Sequence, residues 1–390
     1  MNPVTRALIL GFTALLIGFP LVSWAVFLSQ MVPDGRSDFR AYYSAGYMLR
    51  TGLPLYDYSR EIEVQNRKIS RQAVALPFIH PAFEALLYLP LSFLTYLQAY
   101  WVWFGVNVTA LICAYRLLRR ELQALFSVAP WLPAATVFAF LPIGAAIVQG
   151  QDSILVLLLF AGAFSYFRRS EHLFAAGMLL GLAVFRFQIV VPIVFCFLLW
   201  RRFKVVIGFS ITATAAAALS VAIAGIRPYV HTLLGFRADS GLSELVPVSL
   251  MPNLRGLVHS LGGSDLIVIV ASFAVLGVTV YGAAGRDLQH QFTIAVVAAT
   301  LVSYHGLVHD LSVLFIPLTL LIGTRRNLCL VFAGIGFFAP TLVFLGADSF
   351  YLATIPVLAL FIFFVVLCRR NARAAEFVKI RSACLPEQTS

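Results

Sequence analysis

Residues 7–30 read ALILGFTALLIGFPLVSWAVFLSQ and contain no charged side chain. A helix needs about 20 predominantly apolar residues to cross the hydrocarbon core of a membrane, and this run is longer than that. The apolar core of a cleaved signal peptide is shorter and is followed by a small-residue cleavage site. The run therefore predicts a retained membrane-spanning helix near the start of the chain.

The composition extends this conclusion to the whole chain. Of its 390 residues, 61% are hydrophobic and 12% are charged, and the mean hydropathy is +0.90. Such a chain has too little polar surface to cover itself in water, so we predict an all-α polytopic membrane protein whose surroundings are membrane lipids. The five cysteines include no C-x-x-C pair and support neither a disulfide framework nor a zinc site.

Further apolar runs follow, separated by short polar segments. They lie near residues 96–115, 129–148, 153–167, 173–185, 189–200, 205–225, 265–284, 291–304, 311–323, 328–346 and 351–368. Together with the first run they predict about 12 spans in a single membrane domain that covers residues 1–390. Several runs are shorter than the usual spanning length, so each boundary is approximate.

The distribution of basic residues predicts the orientation. Cytoplasmic loops of membrane proteins carry an excess of Lys and Arg. With both termini in the cytoplasm, the cytoplasmic segments, which are the alternate short loops and the basic cytoplasmic tail 369–390, together hold 17 of the 28 Lys and Arg residues. The net charge of +11 is therefore explained by topology, and no nucleic-acid partner is expected. Two larger segments, 31–95 and 226–262, are predicted to be external.

The first external segment is predicted to be structured. In DFRAYYSAGYMLR, residues 38–50, apolar and aromatic side chains recur at helical spacing, and PAFEALLYLPLSFL, residues 81–94, is a second such segment. We interpret both as amphipathic helices at the membrane surface, with tyrosines at headgroup depth. The G-x-x-x-G of GMLLG, residues 177–181, is interpreted as a helix-packing face.

Several charged or titratable residues fall at the predicted outer ends of spans, where they could line one external cavity. They are Asp38, Arg186, His305, His309 and Asp310. Asp38 could instead be a helix-start residue that interacts with the helix dipole. Arg186 stands between two short apolar helices with Gln188 beside it, and could instead extend its charge to the membrane interface.

Two other motifs allow more than one interpretation. SYHGLVHD, residues 303–310, places its two histidines one helical turn apart. Such a pair could bind a metal ion, or the histidines could simply lie hydrogen-bonded at the membrane interface. A zinc protease needs Glu after the first histidine, and Gly306 stands there, so no metal is predicted. VQGQDSI, residues 148–154, adds Gln149, Gln151 and Asp152 to the external side, although Gly150 also predicts a plain loop.

The chain has no Walker A, G-x-G-x-x-G or G-x-S-x-G motif. The sequence therefore contains no motif that indicates nucleotide binding or acyl hydrolysis. No cofactor is expected, and an activated donor would have to be carried by a lipid.

An ordered series of segments resembles glycosyltransferase family 87. It runs over roughly residues 36–325 and comprises DFRAYYSAGYMLRTGLPLYD, FIHPAFEALLYLPLSFL, NVTALICAYRLLRR, GQDSILVLLLFAGAFSYFRR, AAGMLLGLAVFRFQIVVPIVFCFLLWRRFK, NLRGLVHSL and YHGLVHDLSVLFIPL. That family comprises mannosyltransferases that use polyprenyl-phosphate mannose, and relatives with the GT-C architecture. The resemblance implies a GT-C transmembrane helix bundle, with the active site on the external or periplasmic face of the cell membrane.

The resemblance also implies roles for individual residues. Asp38 becomes the candidate general base, with His305 and His309 lining the same cavity. The basic residue that would bind the donor phosphate is Arg186, with Gln188 beside it. The remaining substrate-binding candidates are Tyr42, Tyr43, His80, Gln151, Asp310 and Arg255.

The implied reaction is inverting transfer of a hexose, with mannose favoured, from a polyprenyl-phosphate sugar donor to a glycan or glycolipid acceptor. A single base suffices for such a reaction, because the phosphate leaves from the opposite face of the sugar. A polytopic transporter or a lipid flippase is the alternative, since multiple spans and an intramembrane arginine also describe those proteins. A non-catalytic assembly subunit is a third reading.

Overall fold

The structure is a computed structural model that describes residues 24–71, 75–233, 247–323 and 349–383, with isolated positions 3, 7, 11 and 22. Within these ranges the regular elements are all helices, which confirms the predicted all-α class. The predicted span 328–346, more than half of the span 7–30 and the side chains of the tail 369–390 lie outside the described residues.

The helices are numbered in chain order. Those of the first half are α1 Phe39–Thr51, α2 Tyr58–Lys68, α3 Ala85–Tyr88, α4 Tyr96–Leu118, α5 Gln123–Phe126, α6 Leu132–Ala139, α7 Leu141–Gln149 and α8 Ser153–Arg169. Those of the second half are α9 Leu173–Leu182, α10 Phe187–Leu199, α11 Phe203–Ala224, α12 Arg227–Leu233, α13 Leu254–Ser260, α14 Asp265–Gly282, α15 Leu288–Val302, α16 Phe315–Gly323 and α17 Thr354–Ala383.

The described residues include five helical stretches that are long and apolar enough to cross a membrane. They are Tyr96–Phe126, Leu173–Leu199, Phe203–Ala224, Asp265–Gly282 and Phe350–Cys368. A sixth is possible if α6 and α7, which are bent by 63° at Phe140, count as one broken span. These helices indicate an integral membrane protein, but the predicted number of about 12 spans is not confirmed.

Apolar side chains cover the outside of α11 and α14. Ile207 and Ile211 on α11, and Leu266, Ile269 and Phe273 on α14, are each more than half exposed. A soluble monomer rarely exposes contiguous apolar patches of this kind, whereas lipid tails solvate them well.

The chain reverses direction at Arg186. Gly177 lies against the backbone of Val205 and Phe209, whereas Gly181 lies against Phe209 and Ala213, so α9 and α11 run parallel to each other. Two parallel helices that are joined by α10 require α10 to run back between them. The stretch Leu173–Leu199, although long enough in total to cross a membrane, is therefore a helical hairpin and not one straight span. Arg186 ends the 3₁₀ turn Ala183–Arg186 at the tip of this hairpin.

The same contacts confirm the packing role predicted for GMLLG. A Cβ atom added to Gly177 would overlap the Val205 carbonyl oxygen, and one added to Gly181 would lie 2.7 Å from the Phe209 carbonyl oxygen. Both glycines therefore let the backbones of α9 and α11 approach closely, as small residues do between membrane helices.

The first loop, residues 31–95, has an aromatic core of its own that packs on α4. Phe39, Tyr42 and Tyr88 are fully or almost fully buried, as are Tyr100 and Trp103 of α4. Tyr42 stacks on Tyr88 with ring centroids 4.7 Å apart. The helix predicted for residues 38–50 is confirmed as α1. Tyr42 and Tyr43 are packed inside the protein and do not face its surroundings, and their depth in the membrane stays a prediction.

The second helix predicted in this loop is broken. Residues 81–94 form two 3₁₀ turns, Ala82–Glu84 and Pro90–Phe93, on either side of the short helix α3. Pro90 lacks the backbone N–H that would continue the helix. The break turns the chain into α4, whose N-terminus is closed by a capping box between Thr95 and Gln98.

Glu61 of α2 fixes the fold of this loop from within. Only 2% of the residue is exposed. Its carboxylate accepts hydrogen bonds from the Phe78 backbone N–H at 2.9 and 3.0 Å and from the Ser44 hydroxyl at 3.0 Å. Gln65 adds a weaker bond at 3.3 Å. Burial raises the pKa of Glu61 from 4.5 to about 7, although these hydrogen bonds act in the opposite direction.

We expect Gly177→Ala to destabilise the protein, because its methyl group would push α9 away from α11. Overpacking of this kind typically costs about 1–3 kcal/mol. Gly105→Ala is the matched control, since a Cβ atom at Gly105 of α4 meets nothing within 4 Å. Thermal unfolding in detergent should show a lower midpoint for Gly177→Ala only. Equal midpoints for the two variants would contradict the close packing.

Glu61 should also make stability depend on pH. Because its folded pKa of about 7 lies above the ordinary value of 4.5, the group contributes its full stability below about pH 4.5. That contribution, ~3 kcal/mol at most, is lost as the pH rises through 7. Glu61→Gln resembles the protonated acid at every pH. Its unfolding midpoint relative to wild type should therefore rise between pH 5 and pH 8, and a constant difference would argue against the burial of a titrating acid.

Candidate functional site

The site is built around the loop between α7 and α8. Gly150 ends α7 with a φ of 67°, a left-handed conformation that glycine adopts without strain. Helix α4 then holds the loop: the Trp103 indole N–H donates to the Gly150 carbonyl at 3.0 Å, and the Asn107 amide donates to the Gln151 carbonyl at 2.9 Å. The side chains of Gln151 and Asp152 are thereby presented to the hairpin tip.

Arg186 is the centre of the site. It is 4% exposed, and its Nε atom donates to Asp152 Oδ1 at 2.9 Å. Its Nη2 atom donates to the same carboxylate oxygen, to Gln151 Oε1 at 2.6 Å and to the Tyr42 hydroxyl at 3.1 Å. The Nη1 atom lies 3.7 Å from Asp310 Oδ1. The guanidinium is therefore bound within the protein and does not extend to the membrane interface.

Asp38 joins this network through Gln151. The Gln151 Nε2 atom donates to Asp38 Oδ2 at 2.7 Å, and the Asp38 backbone N–H donates to Gln149 at 3.2 Å. Asp38 occupies the N-cap position of α1, yet its side chain makes no capping hydrogen bond. Its Oδ1 atom has no hydrogen-bond partner in the described part of the chain, and the residue is half-buried. Asp38 is therefore a helix-start residue, as one of the two interpretations predicted, and its side chain is in addition bound to Gln151.

Tyr42 and His80 form the opposite wall. The Tyr42 hydroxyl donates to Gln151 Oε1, and the His80 Nε2 atom lies 3.3 Å from the Tyr42 oxygen. The His80 Nδ1 atom lies 3.1 Å from Glu84 Oε2. Burial and the positive charge of Arg186 lower the pKa of His80 to about 4, so its ring is neutral at neutral pH. Burial raises the pKa of Glu84 to about 7.

The segment 303–310 supplies Asp310 and its histidines. Asp310 Oδ2 accepts from the Leu307 backbone N–H at 2.9 Å, and its Oδ1 atom accepts from the Ser153 hydroxyl at 3.3 Å. His309 is buried with Nε2 3.7 Å from Asp310 Oδ2. His305 precedes the 3₁₀ helix Val308–Leu314, so the two histidines do not share a helical turn and that prediction was wrong.

The other predicted residues lie at different distances from this centre. Gln188 donates to the His305 carbonyl at 3.3 Å, which ties the hairpin tip to this segment. Arg255 stacks on the Tyr304 ring, with its guanidinium carbon 3.9 Å from the ring centroid. Tyr43 donates to the Leu94 carbonyl at 2.8 Å within the aromatic core of the first loop and takes no part in the Arg186 network of described residues.

The structure thus brings together acids and bases that are far apart in sequence. The network of Asp38, Gln151, Arg186, Asp152 and Asp310 combines one accessible carboxylate with a buried cation. Residues 78–317 match the model of glycosyltransferase family 87. The chain belongs to glycosyltransferase family 87.

Family 87 membership makes the protein a membrane glycosyltransferase, which acts on a sugar donor and an acceptor. The comparison with curated proteins and the comparison with solved structures found no match. The matched region includes Gln151, Arg186 and Asp310, whereas Asp38 lies before its first residue.

Two acids of this candidate site were missed or undervalued by sequence reasoning. Asp152 was placed on the predicted external side but not among the site residues, because one carboxylate next to a glycine loop predicts little. Glu84 was not considered at all. The spacing of His80 and Glu84 in HPAFE, four residues apart, was the available signal, since that spacing lets two side chains meet on a single helical turn.

We expect the ion pair between Arg186 and Asp152 to be strongly coupled. Removing one partner of a buried pair leaves an uncompensated charge and typically costs about 3–5 kcal/mol. Arg186→Met and Asp152→Asn should each lower the unfolding midpoint. The loss of stability in the double variant should be clearly smaller than the sum of the losses in the two single variants. The comparison pair is Arg168→Met with Glu121→Gln, whose side chains are 18% and 15% exposed. A coupling no larger than that of the comparison pair would contradict the central role of Arg186.

Proposed function

We propose that the protein transfers a hexose from a polyprenyl-phosphate donor to a glycan or glycolipid acceptor, with inversion and with Asp38 as the general base. Mannose is the first sugar to test, and the active site is proposed to face the external side with both termini in the cytoplasm. The GT-C architecture implied by the resemblance is part of the same proposal.

One observation carries this proposal. Asp38 is held by Gln151 through one carboxylate oxygen, while its other oxygen has no partner among the described residues. A general base needs a fixed carboxylate with an oxygen that can reach the acceptor hydroxyl.

The buried cation supports the second half of the reaction. A leaving polyprenyl phosphate develops negative charge, which fixed positive groups stabilise in a dry site. The Gln151 side chain bridges Arg186 and Asp38: its Oε1 atom accepts from Arg186 and its Nε2 atom donates to Asp38. Its charge is already balanced by Asp152 and Asp310, so direct phosphate binding would require the donor to share the guanidinium with these carboxylates. Arg255 is a second cation near His305 that could bind the phosphate.

A cavity near the first loop supports a lipid-linked donor. It has a volume of about 460 Å³ and lies between the end of α1 and the end of α11, lined mainly by apolar residues such as Leu49, Leu53 and Ile223. Tyr56 is one of its walls and donates to the His80 carbonyl at 2.8 Å. An isoprenoid chain in this cavity would therefore approach the site from the side of His80.

The transporter or flippase alternative is less well supported. Membership of family 87 indicates a transferase. The first loop also forms a packed structure that delivers a carboxylate to a fixed position, a feature that transport alone does not require.

We expect Asp38→Asn to abolish most transfer while the protein still folds. The amide oxygen can accept the Gln151 hydrogen bond but cannot take a proton, and loss of a general base typically lowers the rate by about 10²–10⁴-fold. Asp34→Asn is the control, because Asp34 lies in the same loop and its side chain is 46% exposed. The measurement is consumption of a panel of polyprenyl-phosphate sugars by purified protein in detergent.

Product analysis completes this test. Inversion at the anomeric carbon is expected, because a single base acts without a covalent intermediate. Near-normal transfer by Asp38→Asn, or a product that retains the donor configuration, would remove Asp38 from the proposed role.

A further inference from the structure

Three side chains beside the Arg186 network form a cluster of metal-ligand type. They are His80, Glu84 and Asp152, and their ligand atoms all lie within 4.8 Å of one another. Within the described ranges this is the one cluster of three such groups that meets this distance. It joins the first loop to the loop between α7 and α8.

Three carboxylate oxygens in this cluster accept no hydrogen bond from an N–H group or a hydroxyl group of the described residues, and the carboxyl groups of Glu84 and Asp152 lie within hydrogen-bonding reach of each other. Glu84 and Asp152 are both 0% exposed. Neither oxygen of Glu84 accepts a hydrogen bond of acceptable geometry, and the same holds for Asp152 Oδ2, since Arg186 binds only Oδ1. Buried polar atoms are nearly always paired, because leaving a carboxylate unpaired costs several kcal/mol.

His80 adds a further hydrogen-bond acceptor, its Nδ1 atom, which faces the Glu84 carboxylate. The Tyr42 hydroxyl proton is used in the bond to Gln151, so the Tyr42 oxygen can only accept from His80 Nε2. A neutral imidazole carries one proton, and this contact assigns that proton to Nε2. Nδ1 then presents its lone pair to Glu84 Oε2 at 3.1 Å. Two acceptors at that distance repel each other unless a proton or a metal ion lies between them.

The surroundings hold the histidine in this orientation. The Tyr42 oxygen fixes Nε2, and the Tyr56 hydroxyl donates to the His80 backbone carbonyl at 2.8 Å. Metal-binding histidines typically have such an outer partner on the ring nitrogen that does not bind the metal. Arg186 cannot supply the missing charge, because it already serves Asp152 Oδ1 and lies near Asp310.

We propose that His80 Nδ1, Glu84 and Asp152 Oδ2 bind a divalent metal ion. One imidazole and two carboxylates suit a cation of the Mn²⁺ type, which accepts both nitrogen and oxygen ligands. The other coordination positions would be filled by water or by an oxygen of a substrate. This proposal does not depend on the sugar, the donor or the base proposed above.

A shared proton is the competing explanation. Two carboxylates can form a hydrogen bond only if one is protonated, and Glu84 could carry that proton toward Asp152 or His80. The two explanations differ in whether the purified protein binds a metal, and this can be measured without any sugar donor.

The test is a titration of the full chain, purified in detergent and stripped with a chelator, with MnCl₂ as the probe. Free Mn²⁺ is followed by its room-temperature electron paramagnetic resonance signal, which weakens when the ion binds. We expect one saturable site per chain, and at least about tenfold weaker binding by Glu84→Gln and His80→Gln, since even outer-shell changes cost that much. Glu61→Gln is the matched control, because Glu61 is buried in the same loop but fully hydrogen-bonded.

A spectroscopic measurement keeps the proposal falsifiable if Glu84→Gln does not fold. Electron spin echo modulation of bound Mn²⁺ should show a nitrogen ligand in the wild-type protein, and His80→Gln should lose it. The proposal is overturned if the wild type shows no saturable site up to about 1 mM free Mn²⁺, a concentration at the weak end of the affinity range of protein calcium sites. Binding that is unchanged in both ligand variants, or that shows no nitrogen ligand, would also overturn it.

Discussion

The burial of the Arg186 guanidinium is the constraint on which the rest of the site depends. A cation in a dry interior needs carboxylates close by, because its hydration is lost and few other groups can replace it. Asp152 and Asp310 meet this need from the loop before α8 and from the 3₁₀ helix before α16. The three chain segments are therefore held at one point by charge, and polar residues that are distant in sequence become neighbours.

The first loop completes this arrangement from outside the helix bundle. Its aromatic core packs on α4, and the same helix holds the Gln151 backbone. Gln151 consequently has fixed neighbours on both sides: Asp38 from the loop and Arg186 from the hairpin. A side chain that donates to an acid and accepts from a cation transmits the position of one to the other. The accessible carboxylate is thus as well defined as the buried ion pair.

Small residues and helix breaks make these contacts possible. Gly177 and Gly181 let α9 and α11 approach each other, which leaves Arg186 at the tip of a short hairpin. Gly150 ends α7 in a left-handed conformation one residue before Gln151. These three glycines therefore allow the close packing of the helix backbones and also set where the polar side chains of the site lie at the end of the bundle.

The sequence by itself determined that the chain is an all-α membrane protein, that α1 is a helix, that the glycines of GMLLG pack and which family it belongs to. Hydrophobic run length, helical periodicity and motif order are local properties and can be read from one chain. It also named Asp38, Arg186, His80, Gln151 and Asp310. Only the tertiary structure decided that Asp152 neutralises Arg186, that Glu84 faces His80 and that Tyr42 and Tyr43 are buried. Pairing of charges depends on which segments meet across the fold, and a carboxylate in a short loop carries no local sign of its partner.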